Sequence, residues 1–180
     1  RISYALTASE LEFALETVTS RNETHKFETF CRRLCQGSIC PNLRPQSGPE
    51  GGGDSKADAD SFPVADEISE RFYFGDANGG SEEWAFAFSA QKTWSRKVRS
   101  DIDGLIATGR KYDRIYFVTS RAARSKDRAR IENELTKKHG VPVKILDRAW
   151  IVAQIIEERR EDLAHNYLSV GQVVEEYSRL

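Results

Sequence analysis

Trp84-Ala85-Phe86-Ala87-Phe88-Ser89-Ala90-Gln91-Lys92, followed at once by Thr93-Trp94-Ser95-Arg96-Lys97-Val98-Arg99, is the stretch that decides the architecture. Trp84, Phe86 and Phe88 alternate with Ala85, Ala87 and Ser89, so a strand here has an aromatic face and a small-residue face. Both faces are apolar, as expected of a central strand covered on each side. Lys92 ends the run, and on an ideal strand it shares the face of Ala90 and Phe88. A lysine closing a buried strand either snorkels to water or is placed for chemistry.

A helix is predicted next over residues 93–108, stopped by Gly109, with Trp94, Val98, Ile102, Leu105 and Ile106 on its buried face. Arg96, Lys97 and Arg99 crowd its first turns, where the helix dipole disfavours cations. An anion held at the helix start, met by backbone N–H groups and cations together, would account for them. Beyond it the pattern reads strand 114–119, helix 126–139 closed by Gly140, strand 141–146 and helix 149–158. That order implies a parallel pair joined by a right-handed crossover. The loop over 120–130 carries Arg121, Arg124, Lys126, Arg128 and Arg130 at the carboxyl edge, where open α/β sheets bind ligands. The tail 161–180 reads as partly helical and as leading to a following domain.

Upstream, Thr7-Ala8-Ser9-Glu10 has the form of a capping box, with Leu11, Phe13 and Ala14 following at helical spacing. A second helix over 23–36 gathers Phe27, Phe30, Cys31 and Leu34 into one stripe. Glu28 falls on the stripe's edge, where it is either a solvated helix-face acid or a carboxylate held at the margin of a cleft. Residues 41–61 contain Pro41, Pro45, Pro49 and Gly51-Gly52-Gly53. They read as a linker, or as a tight turn that delivers Asp54 and Asp58 and feeds a strand at about 57–64. A short helix or strand is expected over 66–74 and a polar loop over 75–83.

The 180 residues suit one domain with a real core, and 31% charged against 39% apolar residues is the balance of a soluble globular chain. No apolar run is long enough to span a bilayer and no secretory leader is present, which argues for the cytoplasm. Cys31, Cys35 and Cys40, with His25 nearby, could be imagined as a zinc site. Beside Phe27 and Leu34 they read instead as buried core thiols of a reducing compartment. The chain has no methionine, even at position 1, and reads as a module of something longer. Net charge is −1, but it is segregated. Residues 50–83 hold ten acids and two bases; residues 92–138 hold fourteen bases and six acids. An acidic cluster before a basic half suits divalent cations held against a polyanion.

The helix bearing Phe27-Glu28, the turn Gly53-Asp54-Ser55-Lys56-Ala57-Asp58, the strand ending in Lys92 and the strand-helix-strand half together resemble the PD-(D/E)XK restriction-endonuclease-like nucleases. The Mrr type, whose turn reads Gly-Asp-Gly-Gly-Ile-Asp, is nearest in flavour. Ile39-Cys40-Pro41-Asn42-Leu43, the glycine turn and Phe88-Ser89-Ala90-Gln91-Lys92-Thr93-Trp94 also look like nuclease modules at the N-termini of prokaryotic STAND-type antiphage NTPases.

The resemblance implies an α/β fold with a mixed central sheet flanked by helices in αβββαβ order. It makes 1–180 one nuclease-like domain, with a core of about 24–158 and a C-terminal helical tail over 159–180. It further implies a Mg²⁺-dependent (or Mn²⁺-dependent) endonuclease acting on double-stranded DNA with little sequence preference, and self-association or assembly through a larger parent. Asp58 would be the principal metal ligand with Asp54 as its turn partner, Lys92 the catalytic lysine and Glu28 an auxiliary acid. Arg96, Lys97, Arg99, Arg121 and Arg124 would meet backbone phosphates. One departure stands out: the family acid two residues before the lysine is Ala90 here. A second ligand then comes from Gln91 after a local twist, from its backbone carbonyl, or from Asp54 or Glu28. Otherwise the module binds DNA without cutting it. Against a nucleotide-sensing module, no Gly-x-Gly-x-x-Gly or phosphate loop follows any strand. His25, His139 and His165 sit beside no nucleophile at an elbow, which disfavours a serine or cysteine hydrolase.

Overall fold

The expected central strand is β4, Glu82–Ser89, and it organises the computed structural model, which describes residues 2–45, 72–77 and 82–175. The elements before it are β1 (Ile2–Ala5), α1 (Ala8–Glu16), α2 (Thr24–Ser38), β2 (Arg44–Pro45) and β3 (Phe72–Ala77). After it come α3 (Trp94–Ile106), β5 (Arg114–Thr119), α4 (Ser125–His139), β6 (Val143–Leu146), α5 (Arg148–Glu157), α6 (Glu161–Leu168) and β7 (Gln172–Glu175). A five-stranded mixed sheet has the order β2-β3-β4-β5-β6. β2, β3 and β4 pair antiparallel, while β4, β5 and β6 pair parallel. The run α2-β2-β3-β4-α3-β5 has the order αβββαβ among the described residues.

Alternation along the strands builds two cores. Phe86 and Phe88 of β4, with Tyr116 and Val118 of β5, face a layer made by α1, α2, α5 and α6. Ala85 and Ala87, with Ile115 and Phe117, face α3 and α4 through Val98, Ile102, Leu105, Ile131 and Leu135. The aromatic face stacks Phe86 on Tyr116 at 4.8 Å between centroids, and alanine on the other face leaves room for α3 to pack.

Several elements differ from the sequence reading. Thr7 caps α1 as expected, its hydroxyl oxygen accepting from the Glu10 N–H at 3.1 Å. Phe13, however, is 69% exposed; α1 turns Leu11, Ala14 and Leu15 inward instead. The polar loop expected over 75–83 is shorter, because β3 runs to Ala77 and β4 begins at Glu82, with those two residues paired. Arg44–Pro45 forms a short edge strand where irregular chain was expected. The strand expected at 57–64 lies outside the described residues. The tail is helical over α6 as predicted, but β7 then pairs antiparallel with β1 at the other end of the chain. Leu11, Leu15, Val18, Leu163, Ala164 and Leu168 share the core of α2, so α1 and α6 belong to the same packed layer. Among the described residues no helix is long and apolar enough to cross a membrane.

Charged side chains fasten α3 to α4. Arg99 donates to both oxygens of Glu134, at 2.7 and 3.2 Å. Asp103 receives Lys138 at 3.2 Å and lies 2.8 Å from the His139 Nε2. Partial burial pushes the Asp103 carboxyl up, but its hydrogen bonds to His139 and Lys138 outweigh that and leave it below the ordinary value. A carboxyl depressed in the folded state adds stability above its unfolded pKa and loses it as pH falls through the folded one. Asp103→Asn should therefore lower stability near neutrality and flatten the acid limb between about pH 5 and pH 2. Urea midpoints measured across that range check it.

Candidate active site

β4 ends at Ser89, and the chain leaves the ladder there. The Ser89 hydroxyl oxygen accepts from the Gln91 N–H at 3.2 Å, which closes a tight turn directly after the strand. The Ala90 carbonyl accepts twice: from the Thr19 hydroxyl at 3.0 Å and from the Arg121 Nε at 3.0 Å. The strand exit is thus clamped by the α1–α2 connection on one side and by the loop after β5 on the other. Strand alternation stops with Ser89, so Lys92 is not on a strand face with Phe88 and Ala90. Ala90 is 2% exposed and packs in the first core, whereas Lys92 is exposed.

Around this exit lies a cavity of about 190 Å³ lined by Thr19, Thr24, Glu28, Phe88, Ser89, Ala90, Gln91 and Lys97. Thr24 and Glu28 come from the first turns of α2, and Lys97 from the first turn of α3. Three residues singled out from the sequence for different reasons, Glu28, Gln91 and Lys97, therefore line one cavity. The Glu28 charge also reaches Tyr73 on β3: burial first, then the nearby Glu28, pushes the Tyr73 hydroxyl up to about 12. Lys97 is bound at 2.9 Å to Asp101, one turn along α3, with side chains 11% and 6% exposed. A larger cavity of about 570 Å³ beside β1 is lined by Tyr4, Arg159, Glu161 and Asp162 among others, and has none of these three residues.

The remaining expected site residues are dispersed. Asp54 and Asp58 lie outside the described residues. Lys92 does not line the cavity; its charge acts on Glu16 at the end of α1. The cations expected to await an anion at the start of α3 are mostly committed within the protein. Lys97 has Asp101 and Arg99 has Glu134, so intramolecular acids explain basic residues that the dipole disfavours. Arg96 is exposed. Arg121 pairs with Glu16 at 3.2 Å, and Arg124 is the exposed N-cap residue of α4. Cys31, Cys35 and Cys40 are buried and form no disulfide, and the Cys40 thiol donates to the Asn42 Oδ1 at 3.1 Å; burial raises Cys31 and Cys35 well above the usual range.

Thr19, Thr24 and Ser89 are cavity residues that the sequence reading did not assign. Thr19 sits in an aperiodic connection, and nothing in its neighbours signals a long-range bond to Ala90. Chemically the cavity offers one carboxylate, a carboxamide, hydroxyls and an ammonium among the described residues. Oxygen donors of this type suit a hard cation such as Mg²⁺. Among the described residues no group of three or more His, Cys, Asp or Glu stands ready to hold a metal. Compared with family models, with curated proteins and with solved structures, the chain matches none.

Proposed function

We propose that the chain is a Mg²⁺-dependent DNA endonuclease module of the restriction-endonuclease-like type, with its phosphodiester site at the cavity beside the end of β4. The observation that carries this reading is that Glu28, Gln91 and Lys97 line one cavity at the exit of the central strand. The αβββαβ order and the mixed sheet, antiparallel on one side of β4 and parallel on the other, support it. The Glu28 carboxylate and the Gln91 side-chain carbonyl would hold the ion together with Asp58 and Asp54. Bound there, Mg²⁺ would neutralise charge on the scissile phosphate and acidify water. Lys97, rather than Lys92, is the lysine that lines the cavity, and its ammonium, held by Asp101, would stabilise negative charge building on the phosphate. In a larger STAND-type parent such a module would be the cytoplasmic effector that destroys DNA.

A second reading, DNA binding without cleavage, is favoured by one particular feature. Ala90 is buried where the family has an acid, and the cavity lysine is already neutralised by Asp101. Supercoiled plasmid separates the two. Under the nuclease reading, Mg²⁺ gives nicked or linear product that chelator and Asp58→Ala both abolish. Duplex binding with no product at any Mg²⁺ or Mn²⁺ concentration would leave the binding module, and product insensitive to chelator would dismiss both.

A further inference from the structure

Three cations project from the carboxyl ends of three neighbouring parallel strands: Lys92 after β4, Arg121 after β5 and Arg148 after β6. All three act on one carboxylate, Glu16, the last residue of α1. Both arginines are held by the backbone. The Arg121 Nε donates to the Ala90 carbonyl at 3.0 Å, and the Arg148 Nε donates to the Ser120 carbonyl at 2.9 Å. The Arg148 N–H also bonds the Arg121 carbonyl at 3.1 Å, which locks the two loops together. With the Nε groups so engaged, the outer nitrogens are left for an anion. Arg121 Nη1 reaches one Glu16 oxygen at 3.2 Å and Arg148 Nη2 reaches the other. The two arginine side chains are only 12% and 18% exposed, whereas Glu16 is 51% exposed.

We propose that Lys92, Arg121 and Arg148 form a seat for a backbone phosphate of duplex DNA, and that Glu16 fills this seat in the free protein and yields it on binding. The inference rests on the DNA-directed reading above and identifies how that site grips its substrate.

Four physical points support it. The guanidiniums are fixed before binding, so little side-chain entropy is lost when an anion docks. A phosphodiester presents two non-bridging oxygens, which can take one N–H from each arginine as the carboxylate does. One carboxylate against three cations leaves the seat positive. The seat adjoins the cavity directly, since the Ala90 carbonyl that anchors Arg121 belongs to a cavity-lining residue. A phosphate held there would set the register of the strand running past Glu28 and Gln91.

The test is binding of a fluorescent duplex by anisotropy, in chelator and across a salt series, with plasmid cutting in Mg²⁺ measured in parallel. Glu16→Gln keeps the shape and an acceptor oxygen but removes the competing charge. It should bind the duplex severalfold tighter at every salt concentration, because the same phosphate contact is made without first displacing a carboxylate. Lys92→Gln, at an exposed position, should bind more weakly, with a log–log salt slope shallower by up to about 0.9, the contribution of one phosphate contact. If Glu16 is merely a tether for α1, Glu16→Gln lowers the urea midpoint and leaves affinity unchanged; that result overturns the seat. A native chain that cuts DNA while both variants bind as it does removes this inference and spares the nuclease reading. Absence of both binding and cutting in the native chain and in Glu16→Gln removes the two together.

Discussion

Asp101→Ala should destabilise the fold by about 3–5 kcal/mol, because it strands a buried ammonium. Lys97 and Asp101 lie at 2.9 Å with side chains 11% and 6% exposed, on a helix whose neighbouring Val98, Ile102 and Leu105 are fully buried. The pair itself contributes little net stability, since desolvating two ions offsets most of their attraction. Removing one partner is different: the remaining charge keeps its desolvation cost and loses its compensation. The contrast is testable in one series. Asp101→Ala should shift the urea midpoint strongly, whereas the double change Lys97→Met with Asp101→Leu should lie close to the native chain. A small shift for Asp101→Ala, within about 1 kcal/mol, would show that Lys97 reaches water and that the cavity is wetter than its lining suggests. The exposed links behave otherwise, and loss of the Arg99–Glu134 pair, at 38% and 45% exposure, should cost well under that.

Glu28→Gln should reduce Mg²⁺-dependent plasmid nicking by about 10²–10³-fold. The amide matches the carboxylate in shape and is half-exposed in the native setting, so packing in α2 is preserved. What disappears is the formal charge that would hold a divalent ion beside Gln91. The Tyr73 hydroxyl gives an independent readout of the same change. Its pKa is raised by burial first and by Glu28 next, so removing the Glu28 charge should bring it down from about 12. Spectrophotometric titration of tyrosine checks this without any assay of activity. Nicking at the native rate in Glu28→Gln would separate the cavity from catalysis, whatever the fold.

Much of the architecture was legible because it depends on local periodicity. Phe27, Phe30, Cys31 and Leu34 recur at helical spacing, and they line the buried face of α2. The double-sided apolar pattern of 84–89 marks a strand covered on both faces, and Ala85 and Ala87 indeed face α3 and α4 while Phe86 and Phe88 face α1 and α2. The parallel half follows from the alternation of strand and helix signals after Lys92. Phe13 misled because an apolar residue at roughly the right spacing reads as core; α1 is short and its inward stripe is set by Leu11, Ala14 and Leu15.

The site divides along the same line. By itself the sequence determined that Glu28 stands on the margin of an amphipathic helix, and that Gln91 and Lys92 follow the central strand, since these depend on spacing within one element. Which side chain faces the cavity was decided only by tertiary structure. Ser89 takes the Gln91 N–H and ends the ladder, Thr19 and Arg121 clamp the Ala90 carbonyl, and the turn sends Lys92 toward Glu16 while α3 brings Lys97 inward. Strand alternation extrapolates only while the backbone remains extended. Past Ser89 the course of the chain is set by hydrogen bonds between residues 71 and 31 positions apart, and no local pattern encodes those.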